Sequence, residues 1–380
     1  MSEENLESDA GQAGNAAAAQ DMNILMRQRM EKAAELKAAG IEPFGRGFPG
    51  TQMIAAVRAE TTPAEGEEFG PAVTVAGRLM AKRGMGKSIF ADIKDSSGRI
   101  QLFVGKSEIG DDAFAMFRKL DIGDIVGITG PTFVTRMGEL TVRVKECTLL
   151  SKSLRPLPEK FHGLQDVEQR YRQRYLDLIM NDESFRVLQL RSRILAEIRN
   201  FMNGRGFMEV ETPMLQPLAG GASANPFKTY YEALSSDMFM RIAPELYLKR
   251  LLVGGFEKVY ELNRNFRNEG MDRRHNPEFT MMEVYQAYGD CRTMMELIES
   301  LVTTVAMKTV GTLKIDHGNG KVIDLTLPWR RATYNELCEE KGGADWFQIT
   351  PEQRVERGRA MGLDIPDGMA VILRTAGLER

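Results

Sequence analysis

Between Phe239 and Tyr285 the chain reads FMRIAPELYLKRLLVGGFEKVYELNRNFRNEGMDRRHNPEFTMMEVY, a segment dense in side chains that bind anions, cations and rings. Arg264, Arg267, Arg273, Arg274 and His275 alternate with Glu261, Glu269, Glu278 and Glu283 and with aromatic Phe266, Phe279 and Tyr285. A guanidinium offers a planar fork to phosphate oxygens, and an aromatic face offers stacking to a base. The carboxylates suit a cationic group held beside that anionic, aromatic ligand. TMMEVY alternates with period two, which puts Glu283 and Tyr285 on one face of a strand. A carboxylate on a buried strand face needs a partner, because an unpaired buried charge is expensive. The plain alternative is a charged, solvated hairpin on an ordinary sheet.

Other elements must carry and flank this hairpin. A helix is expected from Phe185 to Gly204, with Leu188, Leu190, Ile194, Leu195 and Ile198 as its apolar positions. RGFMEVETPML follows as a strand stopped by Pro213, and Gly220-Gly221-Ala222 forms a loop in which backbone can approach a ligand closely. Upstream, from Val73, the period is two throughout. VTVAGRLMAKR, SIFADIKD, RIQLFVG, DIVGITGPTFVT and ELTVRVKECTLL read as five strands, with DDAFAMFRKL as a helix between the third and fourth. That order is the OB-fold order, a partly open barrel that binds single-stranded nucleic acid. Phe90 on the second strand, Gln101 on the third and Glu139 at the start of the fifth could stack one base and bond the edges of another. Taken alone, a residue such as Phe90 is more often core than stacking platform.

A chain of 380 residues is too long for one ordinary core, so two domains are expected. The fold class is α+β. Residues 1–20 read as a disordered tail, 21–62 as N-terminal helices, 63–152 as the five-stranded OB-fold barrel, 153–175 as a linker and 176–380 as a catalytic domain on an antiparallel sheet. Hydrophobic residues make up 43% and charged residues 27%, as in soluble globular chains. A net charge of -3 argues against a generally basic coat but leaves room for local grooves. Arg78, Lys82, Arg83 and Lys87 make one basic cluster; Arg155, Lys160, Arg170, Arg172 and Arg174 make another. Cys147, Cys291 and Cys338, and His162, His275 and His317, have no metal-ligand spacing, and a reducing cytoplasm fits them. No signal peptide or membrane-spanning run is expected.

FRNEG followed by RHNPEFTMME, together with RIAPELYLKR and GGFEKVYELNRNFRNE upstream, resembles motif 2 of class II aminoacyl-tRNA synthetases in the lysyl branch. KFHGLQD and RYRQRYLDL resemble the linker of that branch, and the 185–204 helix with its strand resembles motif 1, which implies a homodimer. The resemblance covers about residues 21–310. It implies lysine, ATP and tRNA(Lys) as ligands, with Mg2+ assisting. Gly221 would line the lysine pocket and Glu245 would hold the α-amino group. Glu283 would pair with the side-chain ammonium, with the Tyr285 hydroxyl beside it. Arg267 would hold the ATP α-phosphate as the catalytic group, and Phe279 would stack on adenine. Glu269 would lie by the adenine and the tRNA acceptor end, His275 by the terminal phosphates, and Asn276 in the adenine-side loop. Phe90, Gln101 and Glu139 would read the anticodon.

The match has departures. SANPFKTYYEAL carries Asn225 where lysyl enzymes show Arg, and Tyr230, Tyr231 and Glu232 where they show His-His-Asn. No later segment resembles the family's Asn-Gly-Phe-Ser-Glu-Leu block or its Gly-rich, Arg-containing motif 3. The chain therefore reads as truncated before motif 3. It is expected to lack the Mg2+ carboxylates and, on its own, to be inactive in lysine activation. Glu283 argues against an aspartyl or asparaginyl relative, and the barrel against a lysine ligase acting on protein. A catalytically dead RNA-binding remnant is the remaining alternative.

Overall fold

A computed structural model describes residues 23–366 apart from 46, 62, 64–66, 159–163 and 273–274. The expected tail over 1–20, the segment from 367 onward, and Lys160, His162, Arg273 and Arg274 lie outside the described residues. The chain forms two compact units, one through Phe185 and one from Arg186.

The first unit is a closed barrel. Its strands are β1 (Ala72–Met85), β2 (Ser88–Lys94), β3 (Arg99–Gly105), β4 (Ile125–Val134), β5 (Leu140–Arg143) and β6 (Glu146–Ser151). They run in the order β1-β2-β3-β5-β4-β6, and pairing of β1 with β4 closes the sheet on itself. Alternation sends Ile89, Ala91 and Ile93 of β2 and Ile100, Leu102 and Val104 of β3 into the core. Phe90 and Gln101 therefore point to the outer face. The fifth expected strand divides into β5 and β6, and the cause is a change of partner. Val144 donates its N–H to the Phe103 carbonyl at 2.9 Å, whereas Lys145 donates to the Thr129 carbonyl at 2.9 Å. The crossing is tight: a Cβ at Gly130 would lie 2.0 Å from the Arg143 carbonyl oxygen.

Among the described residues, helices α1 (23–38), α2 (Ile54–Glu60), α3 (Lys106–Ile109) and α4 (Asp111–Lys119) accompany the barrel. The last inserts Phe114, Met116 and Phe117 into the core between β3 and β4, as its sequence position requires. The basic cluster from Arg78 to Lys87 is half internal. Arg78 donates to the Gly123 carbonyl at 2.8 Å and Lys82 to the Arg118 carbonyl at 3.0 Å, while Arg83 and Lys87 are exposed. Helices α5 (Val167–Arg172) and α6 (Arg174–Met180) follow. Arg170 and Arg174 both pair with fully buried Asp177, so two members of the second cluster are structural cations.

Helix α7 (Asp182–Gly204) leads into the second unit, where two small sheets meet the helices. One has the order β12-β11-β7, from β7 (Met208–Glu209), β11 (Lys258–Phe266) and β12 (Glu278–Gln286); the other is β8-β10-β9, from β8 (Leu215–Gln216), β9 (Lys228–Tyr231) and β10 (Ser236–Met240). The strand expected over RGFMEVETPML is thus reduced to two short pieces. Beyond Val210 the chain turns inward so that the Thr212 hydroxyl bonds Glu261 at 2.6 Å, which draws it off the sheet edge. Helix α8 (Glu245–Val253) precedes the hairpin, and α9 (Cys291–Thr309) follows it. The hairpin β13 (Lys314–Gly318) and β14 (Lys321–Asp324), then α10 (Tyr334–Gly342) and α11 (Pro351–Ala360), complete the unit. Both last helices begin with a capping box, at Thr333 and Thr350.

Candidate active site

β11 and β12 pair antiparallel over nine positions, from Lys258 opposite Gln286 to Phe266 opposite Glu278. The register fixes the two faces. Tyr260, Leu262, Met282 and Val284 pack against Met202, Leu297, Leu301 and Val305 of the helices. The opposite face carries Val259, Glu261, Asn263 and Asn265 across from Tyr285, Glu283, Met281 and Phe279. The expected sharing of a face by Glu283 and Tyr285 holds, and the register adds Glu261 directly opposite Glu283.

Three carboxylates gather here, and their partners differ. Glu261 is 1% exposed and forms an ion pair with Arg241, itself 0% exposed, at 2.5 Å. Its second oxygen accepts the Thr212 hydroxyl. Glu245, at the first position of α8, meets Lys249 one turn on at 2.5 Å, where both side chains reach solvent. Glu283 accepts a hydrogen bond from the Tyr285 hydroxyl at 3.0 Å and has no ion-pair partner among the described residues. Burial pushes its carboxyl above the ordinary carboxylate range, and the Glu245 and Glu261 charges push the same way, while the Tyr285 hydrogen bond and Arg241 act against the rise. Burial likewise raises the Tyr285 hydroxyl, helped by Glu283, so it stays a neutral donor. Gly221 lies against this group with φ +87°, and a Cβ there would stand 2.9 Å from the Glu245 Cβ. Its backbone reaches a conformation and a closeness that only glycine tolerates without strain.

The far end of the hairpin brings Arg267 and Phe279 together. The Arg267 guanidinium lies over the Phe279 ring at 5.2 Å, and its Nε is buried with no hydrogen-bond partner among the described residues. The Arg267 N–H donates to the Pro277 carbonyl at 2.9 Å, which closes the loop between the strands. Glu269 is exposed at the tip and accepts the Asn225 N–H at 3.3 Å, while the Asn268 N–H donates to the Asn225 carbonyl at 2.7 Å. Asn225, the departure from the lysyl pattern, therefore ties the strap after Gly221 to this loop through its backbone. His275 is held by Asp272, with its N–H and Nδ1 each 2.8 Å from a carboxylate oxygen, and Asn276 beside it is exposed. Tyr230 and Tyr231 lie half exposed on β9.

In the barrel, Phe90, Gln101 and Glu139 line one cavity of about 280 Å³ with Arg83, Asp92, Thr135 and Met137. Gln101 accepts the Thr141 hydroxyl at 2.9 Å, and Glu139 pairs with Arg58 at 3.0 Å. Phe90 is the end of a ring series on the outer face. Phe103 follows at 5.2 Å, Phe133 at 6.2 Å from Phe103, and Phe69 at 6.4 Å from Phe133, with Arg143 over Phe69 at 5.0 Å. Neither this series nor Arg241 and Thr212 stand out in the sequence. A lone Arg between Met240 and Ile242 is the one available signal for Arg241. Among the described residues no group of three His, Cys, Asp or Glu side chains is arranged to hold a metal ion.

Residues 166–367 match the family tRNA synthetases class II (D, K and N), and residues 73–150 match the OB-fold nucleic acid binding domain. A lysine–tRNA ligase of Carboxydothermus hydrogenoformans is 51% identical over 351 residues, 92% of this chain and 71% of the relative. One from Moorella thermoacetica is 50% identical over 348 residues, 91% of this chain and 70% of the relative. One from Staphylococcus aureus is 48% identical over 356 residues, covering 92% and 72%. With the motif 2 hairpin, its ligand face and the preceding barrel in place, the chain belongs to the lysine–tRNA ligase family of class II tRNA synthetases.

Proposed function

We propose that this protein activates lysine with ATP to lysyl-adenylate and passes the lysyl group to tRNA(Lys). The observation that carries the lysine assignment is Glu283. It is the carboxylate of the ligand face with no ion-pair partner among the described residues, beside a neutral Tyr285 donor, and it suits a desolvated ammonium. A shorter or neutral amino acid would leave that charge uncompensated. Glu245 receives the α-amino group against the Gly221 backbone. Its solvent-exposed pairing with Lys249 is replaceable, because surface ion pairs are weak.

Arg267 binds the ATP α-phosphate, Phe279 stacks on adenine, and Glu269, His275 and Asn276 complete the nucleotide contacts. An oxygen of the lysine carboxylate forms a bond to the α-phosphorus, and the bond to the bridging oxygen breaks, so that pyrophosphate leaves with the electron pair. Arg267 lies where charge grows during that step. In the second step a hydroxyl of the tRNA terminal ribose attacks the lysyl carbonyl and AMP leaves. No side chain forms a covalent bond; orientation and electrostatics carry the reaction. No step is assigned to Mg2+.

Phe90, Gln101 and Glu139 read the anticodon in their shared cavity, with Arg83 toward the backbone. Val187, Leu188, Met208 and Leu215, all exposed on the second unit, form the homodimer face. The proposed boundaries are 63–152 for the barrel, 153–175 for the connector and 176–380 for the catalytic domain, in a cytoplasmic protein. No helix among the described residues is long and apolar enough to cross a membrane.

The test is lysine-dependent ATP–pyrophosphate exchange, in the chain alone and joined to the part of the Carboxydothermus relative outside the matched region. Lysine-dependent exchange in the joined protein is the expected result. Exchange driven by aspartate, or tRNA binding with no exchange in either protein, would contradict it; the second outcome would favour an RNA-binding protein.

A further inference from the structure

Arg241 is among the largest fully buried side chains of the described residues, and nothing in the chemistry above uses it. It follows β10 and packs against Glu261 of the hairpin. Its Nη1 meets Glu261 at 2.5 Å and the Thr212 hydroxyl at 3.2 Å, and its Nε donates to the Arg264 carbonyl at 2.9 Å. Its own carbonyl accepts the Phe266 N–H at 3.0 Å, one residue before Arg267. Its Nη2 is buried with no hydrogen-bond partner among the described residues. A buried Arg–Glu pair is weak evidence for stability, since hydrophobic replacements often do as well. A reason for keeping it therefore lies in what stands beside it.

We propose that Arg241 is a positioning residue for the lysine site, holding Glu261 as a permanent internal ion pair so that Glu283 is the carboxylate left to receive the substrate's side-chain ammonium. The inference rests on reading this face as a lysine site. Glu283 and Glu261 are directly opposite each other in the register. Two ionised carboxylates at such a site oppose each other's charge, and one of them takes a proton unless a cation intervenes. Arg241 is that cation. The charged and titratable groups acting on Glu283 are Tyr285 on its own strand, Glu261 on the neighbouring strand, Glu245 on α8 and Arg241 after β10. Glu245 has Lys249 and Glu261 has Arg241, which leaves one negative charge for one ammonium. The two pairs are not alike. Lys249 reaches solvent and yields to the α-amino group, whereas the Arg241 pair is sealed and does not compete for ligand.

Lysine binding requires Glu283 ionised, so affinity falls as pH drops through its titration. The test follows the Glu283 carboxyl by 13C NMR in the full chain, identified by its loss in Glu283→Gln, with calorimetric lysine binding on the same samples. Arg241→Met is expected to raise the Glu283 midpoint and weaken lysine binding about tenfold per unit of rise at pH below that midpoint, with little change well above it. Glu261→Gln is expected to lower the midpoint and extend lysine binding to lower pH. Arg241→Lys, which keeps the charge and loses the fork, is expected to return the midpoint toward the original. If Arg241→Met does not fold, the opposite shift in Glu261→Gln and the position of Arg241→Lys decide the matter. A Glu283 midpoint unmoved in folded variants, or moved the same way by Arg241→Met and Glu261→Gln, would overturn the role of Arg241. An unmutated chain that binds no lysine would overturn the lysine-site reading itself, whatever Glu283 does.

Discussion

In the proposed reaction Glu283 and Arg267 divide the chemistry of the hairpin between them, and single substitutions separate their contributions. Glu283→Gln keeps the shape and removes the charge, so lysine affinity should fall by about 2–3 kcal/mol, with the melting temperature unchanged or raised; calorimetry and a thermal melt check both. Arg267→Ala removes the cation nearest the proposed α-phosphate and is expected to cut lysine-dependent exchange in the joined protein about 100- to 1000-fold while lysine still binds. Burial, with Glu245 and Glu261, raises the Glu283 carboxyl, and the bound state needs it ionised, so lysine affinity should rise with pH through that titration and level off above it. At this scale the sequence was readable wherever residue type and strand period sufficed, as for Glu283, Tyr285 and Phe279. It was silent on Arg241, Thr212 and Glu261 acting together, because their meeting depends on a chain turn at Thr212 and on the pairing register, neither of which is local.

The elements impose their own constraints on the site. The Gly221 turn has φ +87° and no room for a Cβ beside Glu245. Gly221→Ala should cost about 1–2 kcal/mol in strain and weaken lysine binding, since relief means moving Glu245. Helices α5 and α6 are held by Asp177, which is fully buried and whose carboxyl is pushed from the ordinary 3.8 to about 2; burial opposes that shift, and hydrogen bonds from Asn181, Arg170, Ser184 and Arg174 outweigh it. A carboxyl depressed on folding contributes stability that is present above its unfolded value and lost as pH falls through the folded one. That contribution should therefore disappear between about pH 4 and pH 2. Asp177→Asn should remove about 1–2 kcal/mol of it at neutral pH, allowing for the screening of part-exposed Arg170 and Arg174, as a denaturant titration would show. The barrel strands and α4 were legible because period-two alternation and a buried aromatic helix are local patterns. The split between β5 and β6 was not, because it follows from Phe103 and Thr129 competing for consecutive N–H groups.

The two units carry the two proposed recognition surfaces, one each. Phe90→Ala should weaken binding of an anticodon stem-loop by about 1–3 kcal/mol and leave lysine affinity as it was. Glu283→Gln should do the reverse, since sites that share no residues add independently. Length alone pointed to two domains, and the motif 2 wording pointed to the class of the second. How Phe90, Gln101 and Glu139 converge on one cavity required the closed barrel, because they come from three different strands or strand ends. The selection of lysine by the ligand face is the claim on which the rest depends, and it is tested by equilibrium binding of radiolabelled lysine, ornithine and aspartate to the chain and to Glu283→Gln. Lysine bound well above the other two, with that preference lost in Glu283→Gln, is the expected result; aspartate bound as tightly as lysine, or a preference for lysine that survives Glu283→Gln, would contradict it.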